Sequence, residues 1–459
     1  MLFNSMLLMS GGAVQAIQLF AALSILILLH EFGHFFFARL FKTRVEKFYL
    51  FFDFLFPFPG LLNFSLFKKK KGDTEYGLGW FPLGGYVKIA GMVDESMDTE
   101  AMKQPPQPWE YRSKKAWQRL FIMLGGIIMN VLVAVGIYAL IFGVWGEEYL
   151  PVKNAKYGIA VDSVGESIGL RNGDIIVGVN GKKIDRFNMI MPEIIYSEAK
   201  VINIQRNGVG VDIAIPKGTI NKIIKAQRNS FIQPRTPIVV EGVANKSEAS
   251  NMGLKAGDSI VAVNNTPVVF YDEFEKIKRS SAGKPISLTV VRNAQTVILN
   301  GKVPDTKLLG FSPKSYTDFF TLDKITYNPV TAIGKGFTNT VDEIANYGRQ
   351  LKLIFTSSEV KASESVGGIG SFAKMFPSVF DWQLFLKLLA FVSIILAVMN
   401  LLPIPGLDGG YVVFLLYEMI TGRQVNEKVM EVATTIGLVL LLALMVYANG
   451  LDVYRWIAN

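Results

Sequence analysis

The chain lacks cysteine altogether and has only two histidines in 459 residues. Zero Cys excludes a disulfide scaffold, thiolate metal sites and a cysteine nucleophile. Charge is scarce too: 19% of residues are Asp, Glu, Lys or Arg, while 50% are hydrophobic. That balance excludes a mostly disordered chain, because disorder needs low hydrophobicity and high charge. It argues against an ordinary soluble enzyme and for an integral membrane protein. The length would accommodate about three domains. The net charge, 47 − 38 = +9, names no partner by its sign, and no nucleic-acid partner is expected. In a membrane protein an excess of Lys and Arg marks cytoplasmic loops.

Four stretches are apolar for about the 20 residues that a bilayer requires. They run over about 13–37, 120–146, 388–407 and 433–450, with 411–417 continuing the third after a Gly-Gly break. The N-terminus has no basic region and no small-residue cleavage site, so the first span is expected to stay in the mature protein. Residues 38–117 contain 13 Lys or Arg and residues 1–37 contain none. The positive-inside rule therefore puts this loop in the cytoplasm, and both termini and residues 147–383 outside. The run Lys68–Lys71 suits a solvated loop.

Within that loop, residues 48–67 are rich in Phe but broken by Asp53, Pro57 and Pro59, too interrupted for a span. Residues 76–90 combine β-prone residues with paired glycines and suit a hairpin or a re-entrant loop (about 45–92 overall). Such a loop must lie against protein or line a wet cavity, because lipid cannot satisfy its backbone.

The outward segment repeats itself. Glu166-Ser-Ile-Gly-Leu-Arg-Asn-Gly-Asp174-Ile-Ile-Val-Gly-Val-Asn180-Gly realigns 84 residues later as Ser250-Asn-Met-Gly-Leu-Lys-Ala-Gly-Asp258-Ser-Ile-Val-Ala-Val-Asn264-Asn. Each copy reads as a short helix, a turn at Gly-Asp, an alternating strand and an Asn turn. The signature resembles PDZ domains, at 150–232 and 233–310. Such modules hold peptides by strand addition or act as spacers. Residues 311–383 form a connector. In it, apolar spacing over 329–356 predicts an amphipathic helix, at the outer membrane surface or packed on the second module. The fold class is thus a multi-pass α-helical membrane protein of about four spans, with a re-entrant β-loop and two α/β PDZ-like domains. Residues 1–149 and 384–459 form its membrane core.

The two histidines are His30 and His34 in His-Glu-Phe-Gly-His. At i and i+4 of a helix they share a face and can chelate one ion. Glu31 can reach a metal-bound water without being a ligand, which is the physical content of His-Glu-x-x-His. The plain alternative is a histidine pair at the interface. Catalytic zinc takes three protein ligands, so the third must be Asp or Glu. Asp408 is the best candidate, at the matching end of the third span. Pro403, Pro405 and the flanking Gly406, Gly409 and Gly410 break the helix and let backbone approach.

These motifs together resemble the site-2 protease family: His30-Glu31-x-x-His34 in the first span, Asn400-x-x-Pro403-x-Pro405-x-Leu407-Asp408-Gly409 in the third, and paired modules between. The tandem modules make the chain similar to the bacterial regulator-of-sigma-E branch, proteases of the inner membrane. The resemblance implies zinc on His30, His34 and Asp408, and Glu31 as the catalytic carboxylate. It implies that Asn400 contacts substrate or the scissile carbonyl. It also implies that Leu83-Gly84-Gly85-Tyr86 is a re-entrant loop able to pair with substrate at Gly85. The family often has Gly-Pro-x-x-Asn in the second span; this chain departs from it with Gly126-Ile-Ile-Met-Asn130, without the Pro. The resemblance implies Asn130 near the site, and the alternative for a lone Asn in a span is a bridge between helices. The implied substrates are single-span membrane proteins, namely shortened anti-sigma factors or signal-peptide remnants. A silent membrane scaffold with peptide-binding modules is the rival, and intact Glu31 speaks against it. A metal transporter lacks the polar residues for a path.

Overall fold

The computed structural model describes residues 11–55, 61–82, 84–92, 105–225, 231–360 and 366–458. Pro57, Pro59, Leu83 and the first residue of the Pro-rich stretch 104–108 lie outside them. The chain forms two compact units. One takes its residues from 1–146, 326–351 and 366–459, the other from 147–325 and 352–365.

The first unit contains four helices long and apolar enough to cross a membrane: Gly11–Leu40, Ala116–Trp145, Trp382–Leu401 and Lys428–Ala458. The first two pack with no side chain between them at one point. A Cβ on Gly33 would stand 2.1 Å from the carbonyl oxygen of Gly125, and one on Gly125 would stand 2.5 Å from that of Gly33. Without a hydrophobic effect between helices in lipid, such close backbone packing carries association. Fully buried Ala22, Leu26, Ile122, Ala134, Ala390 and Ile394 line the packing along the first three spans.

The third span does not continue through 411–417. It stops at Leu401, and a separate helix runs over Asp408–Thr421. Pro403 and Pro405 have no N–H for a helix ladder, and Gly406 sits at φ +96°. The glycine pair does not make the break; it lies in the first turn of the new helix. A Cβ on Gly409 would come within 2.2 Å of the Leu402 carbonyl oxygen, so only glycine lets the chain fold back this tightly.

Between the first and second spans lies a four-stranded sheet: β1 (Val45–Leu50), β2 (Ser65–Lys71), β3 (Thr74–Gly79) and β4 (Tyr86–Ile89), in the order β2-β3-β1-β4. Residues 76–90 are therefore not a hairpin. β1 lies between β3 and β4, parallel to the first and antiparallel to the second. Buried Tyr49, Phe52, Phe54 and Tyr86 cluster beside it. Asp53 ties this cluster together, accepting from Tyr86 at 2.8 Å and pairing with Lys47 at 3.2 Å.

The second unit holds two modules of one plan. Each has a four-stranded sheet in equivalent order. The first uses Lys182–Lys183, Ile175–Val179, Val201–Arg206 and Val209–Ala214; the second uses Thr266–Pro267, Ser259–Val263, Pro285–Arg292 and Gln295–Lys302. The repeated Gly-Asp has a physical cause. Asp174 and Asp258 are 1% and 0% exposed, and each takes two bonds from an arginine: Arg206 at 2.7 and 2.8 Å, Arg292 at 2.7 Å twice. Each arginine also donates to a glycine carbonyl at 2.8 Å, Gly169 or Gly253. The Asn turns carry positive φ at both residues, 51° and 77° at Asn180-Gly181 and 48° and 63° at Asn264-Asn265, which matches the twist of a two-residue hairpin.

A helix spans Pro329–Thr356. In the first unit, Gly336 meets the second span: a Cβ there would be 2.7 Å from the Ala139 nitrogen. Val330, Ile333, Phe337 and Val341 are exposed. In the second unit, Leu353 and Val360 are buried in the core of the first module. No residue of this helix joins the core of the second module among the described residues.

Burial works against ionisation of Asp258, but the Arg292 guanidinium and the Lys255 N–H outweigh it and hold the carboxyl below its usual range. A depressed carboxyl stabilises the fold above the unfolded value of about 3.9, and the stabilisation is lost as pH falls through the folded value. Asp258→Asn is therefore expected to weaken the second module by about 1.5–3 kcal/mol near neutral pH. The deficit relative to wild type should shrink below about pH 4. Hydrogen exchange of the Ser259–Val263 amides measures both.

Candidate metal centre

Helical spacing puts His30 and His34 on one face of the first span, and the glycine crossing presses that face onto the second span. His30 Nε2 and His34 Nε2 lie 3.2 Å apart. Asp408 Oδ2 is 3.2 Å from the first and 3.4 Å from the second. Asp408 opens the helix Asp408–Thr421, where the helix dipole favours a carboxylate. All three side chains are at most 15% exposed.

The hydrogen bonds around the group decide what it can hold. A carbonyl oxygen only accepts, so His34 Nδ1–H donates to Ile122 at 2.8 Å, leaving the Nε2 lone pair aimed at Asp408. Asp408 Oδ2 is buried with no donor among the described residues. These three ligand atoms are the one cluster of at least three His, Cys, Asp or Glu groups found among the described residues that could hold a metal ion. Lone pairs converging in a buried site call for a cation, and two imidazoles with one carboxylate match the donor set of catalytic zinc. The residues present therefore fit a zinc ion.

Asn130 stands behind His30. Its amide nitrogen is 3.1 Å from His30 Nδ1, while its Oδ1 is buried without a partner. With His30 Nε2 as a ligand, Nδ1 carries a proton and must donate. An Asn130 amide with its two ends exchanged then accepts that proton through Oδ1, and the orphaned oxygen is satisfied. Asn400 Nδ2 lies 3.5 Å from His30 Nε2. Gly85 reaches the site from the sheet: a Cβ there would be 3.3 Å from Glu31 Cγ and 2.8 Å from the Tyr49 carbonyl oxygen. The structure thus brings His30, Glu31, His34, Asp408, Asn130, Asn400 and Gly85 into one place.

Two features escaped the sequence. A Cβ on Gly126 would stand 2.6 Å from both imidazole Nε2 atoms, so this glycine makes the room in which they converge. The Gly125-Gly126 pair in a span of bulky residues was the available signal. The second feature is the pair between Arg119 and Glu418, 11% and 16% exposed, which ties the second span to the helix that begins at Asp408.

The fold and this site define a class, a membrane-embedded metallohydrolase. The profile of peptidase family M50 matches residues 18–444. The chain is similar, at 31% identity, to a Neisseria meningitidis protein that carries a zinc-metalloprotease name, over 95% of this chain and 97% of that one. It is 30% identical to the Regulator of sigma-E protease RseP of Escherichia coli, over 92% of this chain and 95% of that one. Against the protein of that name from Salmonella typhimurium the identity is 28%, with the same coverage. The chain belongs to peptidase family M50, the site-2 proteases. It is a zinc metalloprotease of the intramembrane type and a multi-pass protein of the bacterial inner membrane.

Gly126→Ala is expected to push the imidazoles apart. Zinc per chain, measured by elemental analysis, should fall well below one, while far-ultraviolet dichroism of the detergent-solubilised protein stays at the wild-type level.

Proposed function

We propose that this enzyme hydrolyses peptide bonds within the transmembrane segments of single-span membrane proteins, in regulated intramembrane proteolysis. The observation that carries the proposal is the meeting of His30, His34 and Asp408 beside Glu31, at the edge of a sheet. His30, His34 and Asp408 hold zinc. When bound, zinc acidifies water and polarises a carbonyl. Glu31 takes the proton from the attacking water and passes it to the leaving amine. Asn400 donates its amide N–H to the oxygen on which charge develops. Asn130 holds the His30 ring in the tautomer that leaves Nε2 free.

A helical substrate hides its carbonyls in its own hydrogen bonds and must unwind before it is cut. β4 pairs only with β1 among the described strands and is the last strand of that sheet, and Gly85 stands at its entrance beside Glu31. Strand addition along that edge compensates the freed backbone groups of the substrate. The segment 45–92 acts in this way as the re-entrant loop of the enzyme.

The two modules of the second unit serve as PDZ domains, binding peptides or screening out substrates with bulky outer domains. Their shared sheet order and Asp–Arg anchor support one plan for both. The density of Lys and Arg between the first two spans supports an orientation with that loop in the cytoplasm, and with both termini and the modules in the periplasm. The names of relatives that regulate sigma-E support anti-sigma factors as substrates, with signal-peptide remnants as the second class.

Glu31→Gln is expected to keep about one zinc per chain while cleavage of a co-expressed reporter span falls by about 10²–10⁴-fold. Retained cleavage would refute the assignment. Asn130→Ala should lower zinc affinity by about 10–100-fold, read by competition with a chelator.

A further inference from the structure

The first span ends with its chain turned back on itself. Thr43 N–H donates to the Ala38 carbonyl at 2.8 Å, Lys42 N–H donates to that of Arg39 at 3.1 Å, and Lys42 takes φ +54°, a position usually given to glycine. Beside this turn is a cleft of about 490 Å³ lined by Arg39, Lys42, Thr43, Arg44, Asp73 and Trp109. Its charges are unbalanced, with three cations against one carboxylate. Asp73 is 63% exposed and only 4.0 Å from Arg44, too loose and too wet to neutralise the others.

Two of the lining residues carry buried donors without partners among the described residues. Thr43 is 1% exposed, and its hydroxyl makes no hydrogen bond; Arg44 Nε is buried and equally unpaired. A buried polar group without a partner is costly, and a folded chain retains one where something else supplies the bond. Arg44 cannot swing its backbone away, because its N–H donates to Trp109 at 2.9 Å and its carbonyl accepts from Ala90 at 3.0 Å. A basic surface that merely marks the cytoplasmic side needs neither a concave wall nor buried free donors.

We propose that this cleft binds a phosphate group. Guanidinium and ammonium donors with a hydroxyl make the donor set that tetrahedral phosphate oxygens accept from. The surroundings favour a lipid as the source. Leu40, Trp109 and Trp117 flank the cleft or lie on the adjoining span ends with 57%, 46% and 44% exposure, an apolar rim of the kind found at the headgroup level. The bound phosphate would join the end of the first span, the β2–β3 turn and the segment before the second span. These three pieces border the sheet that reaches the metal centre.

The test is native mass spectrometry of the full chain released from nanodiscs of phosphatidylglycerol or phosphatidylcholine, with inorganic phosphate as the soluble probe. The wild type should retain phosphatidylglycerol about tenfold better than phosphatidylcholine. Arg39→Gln/Arg44→Gln should lose that preference, and a variant with Lys68–Lys71 changed to Gln should keep it. Thr43→Val covers the case in which the arginine variant misfolds. Removing an unpaired buried hydroxyl should leave the melting temperature unchanged or raised without phosphate, yet weaken retention, an opposition that a structural role would not produce. Saturable binding of inorganic phosphate with no retained lipid, lost in the same variants, would uphold the site with the free anion as its ligand. Unchanged lipid preference in both cleft variants, or loss of it in the Lys68–Lys71 variant alone, overturns the proposal.

Discussion

Two imidazole nitrogens and a carboxylate oxygen face one another across 3.2–3.4 Å in a site that is largely buried. His34 has committed its ring proton to the Ile122 carbonyl, and a carboxylate oxygen with no donor completes the triangle. In a low-dielectric interior such a group is costly unless a cation joins it. The ligands come from two separate stretches of chain, so folding must first bring the first span and the start of the helix Asp408–Thr421 to the same depth. Almost every other feature of the membrane unit serves that meeting.

The means are steric more than electrostatic. Gly33 and Gly125 bring two backbones into contact one residue from His34, and Gly126 clears the volume that the imidazoles fill. On the other side, Pro403 and Pro405 end the third span, and Gly409 and Gly410 let the chain fold back over its own carbonyls to present Asp408. The Arg119–Glu418 pair then ties that last helix to the second span, which also carries Ile122, Gly126 and Asn130. The second span contributes no metal ligand. It is the template against which both ligand-bearing elements are registered.

This explains what could be seen in advance. His30 and His34 were legible because helix periodicity puts i and i+4 on one face, and Asp408 because a carboxylate beside prolines and glycines in a greasy stretch has few plain uses. The repeat was legible because Asp174 and Asp258 each anchor a hairpin arginine, Arg206 and Arg292, so the same local chemistry recurs at a fixed offset. Order in space was not legible where pairing is non-local. Residues 76–90 look like a hairpin, yet β1, some thirty residues upstream, takes the place between the two strands. The role of Gly126 depended on which helix faces His30, and the place of Gly409 and Gly410 on a fold-back after Pro403 and Pro405 that puts them inside the next helix. Neither follows from periodicity along one segment.

The sheet gives the proposed chemistry its directional character. A protease in lipid must solve two problems at one point, because a helix offers no free carbonyl and an unwound strand offers too many unpaired groups. In the proposed reaction an end strand would address both, since backbone groups released from the substrate helix would find partners along β4. The edge must then end where the bond is cut. Gly85 meets this need in the simplest way. Any side chain there would collide with Ile27 and the Tyr49 carbonyl and crowd Glu31, so glycine lets the strand approach the carboxylate directly. Asp53, which bonds both Lys47 of β1 and Tyr86 of β4, holds the first residue of β4 in register with β1.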